Sequence, residues 1–429
     1  MKILDTDFVR RQFPAFQHPE TGQWAYFENA GGSYVPQSVI DHLTRFMVEA
    51  KVQPYGNSHP STVARTMMEG SIIRMSEMIN ADHSEVLVGH CTTMNVYMLS
   101  RALGSWIRPG DEIIVSNQEH EANANDWHRL AENGVSVIEW KMNPETADLE
   151  VEALEKLLSR RTRLVCMTHS SNIVGSANDV KRVAELVHAK GGLLMVDGVS
   201  YAPNHSIDVK ALEADFYVLS LYKTYGPHLG LLYVKKQHHD MLSNQYFKFL
   251  SAYKDAHSDP GAPNFLRIAL NPGGANHEEA ACLSGITDYY DRVFHHHFPE
   301  LSETSKIDTF QRIEKVFDLF QNHLTRLSEI FLDYLQSNQR IRLIGKNVAD
   351  STVRSPTFSF TIAGEMSKQD LVAELAARKI AIASGNFYAW RCLAGIGIDP
   401  DEGVLRASFV HYNTEDEVRH LCSSLKEII

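Results

Sequence analysis

From about residue 85 to residue 235, short apolar runs alternate with segments of helical periodicity, and this alternation limits what the 429-residue chain can fold into. The runs are Glu85–Gly89, Glu112–Ser116, Ser136–Trp140, Leu164–Thr168, Leu193–Asp197, Phe216–Ser220 and Leu231–Val234. Between the fourth and fifth, Asn178–Lys190 carries Val180, Val183, Ala184 and Val187 at the i, i+3, i+4, i+7 spacing of one apolar helical face. Asn178 or Asp179 can cap the start of that helix, and Gly191 suits its end. Strands and helices in alternation predict an α/β fold, a mostly parallel seven-stranded sheet covered by helices on both faces.

The rest of the chain is patterned differently. Residues 301–335 read as a long helix with Phe310, Ile313, Val316, Phe317 and Phe320 on one side. Then come a strand at Thr357–Ile362, a helix around Lys368–Arg378 and a strand at Val404–His411. Thr414 and Glu417 form a capping box ahead of a last helix. A chain of this length exceeds one simple core. We therefore expect a large domain over 21–270 and a smaller α+β domain over 271–429, with 1–20 packing on the latter.

Composition excludes several classes. Hydrophobic residues are 44% and charged residues 22%, the balance of a globular protein, and the formal net charge of −12 repels phosphate backbones, which argues against nucleic acid as a partner. No apolar run approaches the roughly 18 residues of a membrane helix. The start, MKILDTDFVRRQFPAF, has acids and a basic pair where a signal peptide has its apolar core. Five cysteines without CxxC spacing point to a reducing cytoplasm rather than to disulfides or a zinc site. The run His295-His296-His297 points in three helical directions, so no metal site is expected.

Three polar residues follow predicted strands: Asp197 closes LLMVD, His120 follows EIIVSNQ, and Lys223 follows FYVLSLY. Ligands of open α/β sheets bind at the carboxyl ends of strands, where these residues can converge. Such a group suits pyridoxal phosphate. Its aldehyde needs an amine, as Lys223 supplies through a Schiff base. Its ring nitrogen stays protonated beside a buried carboxylate such as Asp197. The ring needs a flat partner, for which His120 is suited. Its phosphate takes hydroxyls and N–H groups at a helix start, and Thr92, Thr93, Ser220 and Tyr222 offer hydroxyls.

The string Val196-Asp197-Gly198, the block DFYVLSLYKTYGPHLGLLY and EHEAN at Glu119–Asn123 resemble the class V aminotransferase superfamily of fold type I. The likeness runs from Tyr26-Phe27-Glu28-Asn29-Ala30 to Leu405-Arg406-Ala407-Ser408 and Tyr412-Asn413-Thr414, most of the chain. It is strongest toward the cysteine desulfurase and selenocysteine lyase branch. The resemblance implies Lys223 as the cofactor lysine, Asp197 as partner of the ring nitrogen and His120 as the stacking group. It places Thr93, Thr92, Ser220 and Tyr222 at the phosphate, and Asn172 and Ser200 near the ring's hydroxyl edge. Arg406 would grip the substrate carboxylate, with Asn29, His59 and Tyr388 on the substrate side. The loop with Gly274 and Ala275 would reach the phosphate of a partner subunit in a homodimer.

Desulfurases carry a thiol on a loop of the pattern R-x-G-H-H-C-A; this chain reads Ala383-Ser384-Gly385-Asn386-Phe387-Tyr388-Ala389. Tyr388 occupies the place of the thiol, and a phenol of pKa about 10 is a poor sulfur acceptor. Cys392 is expected to be a buried structural thiol rather than a displaced nucleophile. The resemblance thus implies an amino-acid substrate, a Cα carbanion, and C–S or C–Se β-elimination without a persulfide-forming cysteine. Transamination and epimerisation stay open as other fates of the same carbanion. A non-catalytic cofactor-binding scaffold is the alternative of another class.

Overall fold

The structure, a computed structural model, describes residues 2–248, 265–302 and 307–429. Its strands are β1 (Ala25–Tyr26), β2 (Val86–Gly89), β3 (Glu112–Ser116), β4 (Ser136–Trp140), β5 (Thr162–Thr168), β6 (Leu193–Asp197), β7 (Phe216–Ser220), β8 (Gly230–Val234), β9 (Ile341–Leu343), β10 (Thr357–Ile362), β11 (Ile380–Ala381), β12 (Ala383–Gly385) and β13 (Val404–Ser408). The seven expected strands make one sheet in the order β2-β8-β7-β6-β5-β3-β4. Only β8 runs against the others, pairing antiparallel with both β2 and β7. The reason is length. Nine residues separate Ser220 from Gly230, fewer than the dozen or so that a parallel crossover requires.

Successive strand residues face opposite sides, so the sheet is buried twice over. Ile113, Val115, Met195, Phe216 and Val218 pack on one face, and Ile114, Val165, Val196, Tyr217 and Leu219 on the other. The helix between β5 and β6 spans Val180–Ala189; its Val180, Val183, Ala184 and Val187 are buried, and the Asp179 carboxylate caps it by accepting the Arg182 N–H at 3.0 Å. Gly191 takes φ +80° directly after it, a left-handed turn that a β-carbon disfavours.

A second, antiparallel sheet has the order β12-β13-β10-β9. The long helix is shorter than its periodicity implied: it spans Thr309–Ser337, because Asp308 and Gln311 form a capping box that sets its start. Strand β13 stops at Ser408, short of His411. Its partner β10 begins at Thr357 after Pro356, which has no N–H to extend the ladder, and the Phe409 N–H turns to the Pro356 carbonyl at 2.9 Å. The amino-terminal segment is tied to this region. Strand β1 pairs parallel with β11, and Arg10 bonds Glu417 at 2.9 Å. No described helix is long and apolar enough to cross a membrane.

One polar cluster anchors the base of the large sheet. Asp215, just before β7, accepts hydrogen bonds from the Leu194 N–H of β6 at 2.8 Å and sits 2.7 Å from His188 and 2.6 Å from His238. Burial alone would raise its carboxyl, but these three partners outweigh burial and lower it to about 2. The hydrogen bond to Asp215 raises His188. The Asp215 contribution to stability is therefore complete above pH 3.8 and lost as pH falls through about 2. The His188 contribution is complete below pH 6.5 and lost as pH rises through its elevated value. Replacing Asp215→Asn should cost about 3 kcal/mol at neutral pH by denaturant unfolding. That deficit should shrink as the pH is lowered from about 4 toward 2.

Candidate active site

Parallel pairing sets Thr168 opposite Asp197, and Asp197 opposite Val218, so β5, β6 and β7 end at one edge of the sheet. Asp197 is 3% exposed, and its Oδ1 accepts the Val199 N–H at 2.8 Å. Gly198 lets the chain pass close to Tyr217; a β-carbon there would lie 2.1 Å from its hydroxyl. Lys223 ends the turn Leu221–Lys223 after β7 and is 8% exposed. Burial lowers its amine to about 8, helped by Arg406 and opposed by Asp197. Burial raises the Asp197 carboxyl to about 6, with the Val199 N–H and Lys223 pulling the other way.

His120 opens the turn Glu121–Asn123 beyond β3. Its Nδ1 accepts the Ala122 N–H at 3.0 Å, which leaves the ring proton on Nε2. Burial, then Lys223 and Arg406, push the imidazole down to about 3, so it is neutral at physiological pH. These mutual influences mark Asp197, Lys223, His120 and Arg406 as one electrostatic group.

Beside this group, Thr92 begins the helix Thr92–Ala102, and its hydroxyl lies 2.8 Å from that of Ser220. Gly230 permits that approach, since a β-carbon there would sit 2.4 Å from the Thr92 nitrogen. Tyr222 has Ser220 as a hydrogen-bond partner and lies parallel to His228, with ring centres 4.2 Å apart. Thr93 is exposed on the first turn of the same helix.

Arg406 comes from the other sheet, at the centre of β13, and is 5% exposed. Its Nη1 donates to the Asn172 carbonyl at 3.2 Å, and its guanidinium lies 3.7 Å from the centre of the Phe387 ring. Burial lowers it to about 10, opposed by Glu28 and Tyr26. The Asn172 side chain donates to the Phe387 carbonyl at 3.0 Å, while its Oδ1 is buried without a partner. Tyr388 is exposed, with its ring 5.5 Å from His120 and its carbonyl accepting the Glu121 N–H at 2.7 Å.

Other expected residues lie differently. Asn29 is buried, and its amide is occupied: it donates to the Ser408 carbonyl at 2.8 Å and the Tyr26 carbonyl at 3.1 Å, and accepts from Tyr412 at 2.5 Å. These bonds knot the amino-terminal segment to β13. His59 is exposed at the start of the helix His59–Met78. Gly274 is exposed, and Ala275 lines a small cavity with Val88, Gly89, His90 and Leu229. Ser200 is half-buried in the turn after Asp197. Cys392 is fully buried, and burial pushes its thiol up to about 12 despite a hydrogen bond with Ser171.

Two residues escaped the sequence reading. Glu119 is wholly buried and bonded to Ser116 and Asn123; burial, then Asp197, raises its carboxyl to about 8. An acid directly before His120 at a strand end was its only signal. Phe387 had no signal, because its position on Arg406 depends on backbone conformation.

The donor set suits pyridoxal phosphate: a depressed amine for the aldehyde, a buried acid for the ring nitrogen, and the partnerless Asn172 Oδ1 for a ring hydroxyl. Sheet order and strand-end chemistry together define a fold type I pyridoxal-phosphate-dependent enzyme. The chain belongs to the aminotransferase class-V family, whose profile matches residues 25–257 and 305–421. It is 33% identical over 428 residues to the aminotransferase-like protein FGM3 of Gibberella zeae, covering 98% of each chain. It is 31% identical over 442 residues to the cysteine desulfurase-like protein ustD of Aspergillus flavus, covering 100% of this chain and 91% of that one. The cysteine desulfurase CsdA of Escherichia coli superposes with a TM-score of 0.78 at 25% identity, covering 99% of this chain and 98% of the other.

In cofactor-free protein the Lys223 amine should titrate near 8, as read by NMR of reductively methylated lysine. Asp197→Asn removes the charge that favours the ammonium and should lower that midpoint. Arg406→Gln should raise it.

Proposed function

We propose that this chain holds pyridoxal phosphate covalently at Lys223 and acts on an α-amino acid by removing its Cα proton, with β-elimination at a C–S or C–Se bond as the outcome. The observation that carries this reading is the placement of a buried, depressed amine beside a buried carboxylate at adjacent strand ends. The cofactor, when bound, supplies an aldehyde that condenses with amines and a cationic ring that spreads negative charge from Cα.

Each residue then has a task. Asp197 holds the proton at the ring nitrogen, a cation that favours its ionised form. His120, neutral and flat, would stack on the ring. Thr92, Ser220 and Tyr222 bind the phosphate with the first turn of the helix from Thr92. Arg406 would take the substrate carboxylate and so fix the orientation of the bonds at the substrate's Cα. Lys223, freed when the substrate amine takes its place on the aldehyde, would accept the Cα proton as a neutral amine, a form that its lowering to about 8 favours relative to an exposed lysine.

Persulfide transfer is not part of the proposal. Cys392 is buried with its thiol pushed up to about 12, and Tyr388 stands exposed on the loop above His120. Transamination is the second reading, favoured by the aminotransferase-like relative from Gibberella zeae. A scaffold without catalysis has no use for the Arg406 clamp. We also propose a homodimer. Met47, Val48, Val52 and Tyr55 are exposed and apolar, a strip that a second copy would cover.

Borohydride reduction and peptide mapping should find the cofactor on the Lys223 peptide, and Lys223→Ala protein should not retain it after reduction. Attachment elsewhere overturns the proposal. Incubation with cysteine, selenocysteine and S-substituted cysteines should release pyruvate. Accumulation of aminated cofactor with a keto acid of the substrate's own skeleton would establish transamination instead. Sedimentation should give a dimer, and Val48→Asp with Val52→Asp should weaken it.

A further inference from the structure

The loop between β12 and the helix Trp390–Gly395 adopts a costly backbone. Phe387 and Tyr388 have φ of +51° and +57°, two adjacent non-glycine residues in the left-handed region. Each costs on the order of 1 kcal/mol or more, so surrounding contacts must hold them there. Four hydrogen bonds do so. The Asn172 amide donates to the Phe387 carbonyl at 3.0 Å, and the Glu121 N–H to the Tyr388 carbonyl at 2.7 Å. Asn386 accepts the Tyr388 N–H at 3.1 Å and donates to the Pro400 carbonyl at 3.3 Å.

The consequence is the position of one ring. Phe387 faces the Arg406 guanidinium at 3.7 Å, within the range of a strong cation–π contact. Asn172 serves both partners: its carbonyl accepts from Arg406 Nη1, and its amide holds the Phe387 backbone. One edge and one face of the guanidinium are thus taken, and its plane is fixed. Among the described residues Arg406 is in no ion pair, and Glu28 acts on it only through the longer-range field.

We propose that Phe387 is the positioning residue of a carboxylate clamp: lying against Arg406, it excludes water from one face and orients the remaining N–H edge toward the α-carboxylate of an amino-acid substrate. This rests on the reading of the site as one for α-amino acids. Phe387 acts through Arg406, so it should discriminate amines that carry a carboxylate from those that do not. A merely structural residue would weaken both alike.

The test is a titration of the holoprotein with paired ligands, L-alanine against ethylamine and L-serine against ethanolamine, read by the absorbance of the bound chromophore. Phe387→Ala should raise the midpoints for the two amino acids by about tenfold or more and leave those of the two amines within about twofold. Phe387→Tyr, which keeps the aromatic face, should restore amino-acid binding. Should Phe387→Ala fail to fold by thermal melting, Phe387→Leu keeps apolar volume without an aromatic face and should show the same selective loss. Equal weakening of amines and amino acids, or no weakening of the amino acids, overturns the clamp alone. A wild-type chromophore at Lys223 that responds to no amino acid overturns the proposed substrate class, and the clamp with it.

Discussion

Parallel registration of β5, β6 and β7 is the constraint on which the site depends. Thr168 pairs with Asp197 and Asp197 with Val218, so three chain segments leave the sheet at one edge. Side chains alternate across a sheet, and a slip of one residue would turn Asp197 to the other face and break both apolar layers. Burial of Leu194, Val196, Tyr217 and Leu219 on one side and Met195, Phe216 and Val218 on the other therefore sets the position of the Asp197 carboxylate. The Asp215 cluster at the opposite end of the same strands holds that registration with polar bonds.

Desolvation then sets the chemistry. Burial is the largest influence on Asp197, Lys223, His120, Arg406 and Glu119, and in every case it favours the neutral form. Glu119, raised to about 8 by burial and then by Asp197, adds a second buried acid to the group. Such a site is poised for a cationic ring, since a positive charge at the Asp197 carboxylate compensates the burial that now opposes its ionisation.

The site also joins two sheets. Asp197, Lys223 and His120 belong to the large sheet, while Arg406 belongs to the antiparallel one. Asn172, beyond β5, bonds both Arg406 and Phe387 and so couples the two sides. The amino-terminal segment attaches to the same strand as Arg406, with Glu28 bridging to Ser408 and Asn29 bonded to its carbonyl.

Seven strands were legible because each is a short apolar run bounded by polar turns, and Asp197, Lys223 and His120 were legible because strand ends are where such runs stop. The reversal of β8 was not, since strand direction is set by the span of the connection and not by the strand's own residues. Helix ends were legible where a cap is local, as at Asp179 and Thr414, but the 301–335 periodicity continued past the Asp308 cap that starts the helix at Thr309. His59 and Gly274 are exposed, and Ala275 lines a cavity with Gly89, His90 and Leu229; a role for them rests on the proposed second copy.

The amino-acid order by itself determined the alternation of strand and helix and the residue types at the strand ends, because both follow from local periodicity and polarity. Tertiary structure alone decided that Arg406 meets Asn172 and Phe387, that Asn29 serves as a knot, and that Glu119 is raised to about 8. Those outcomes depend on contacts between residues distant in the chain and on exclusion of water, and neither is encoded within a short stretch of sequence.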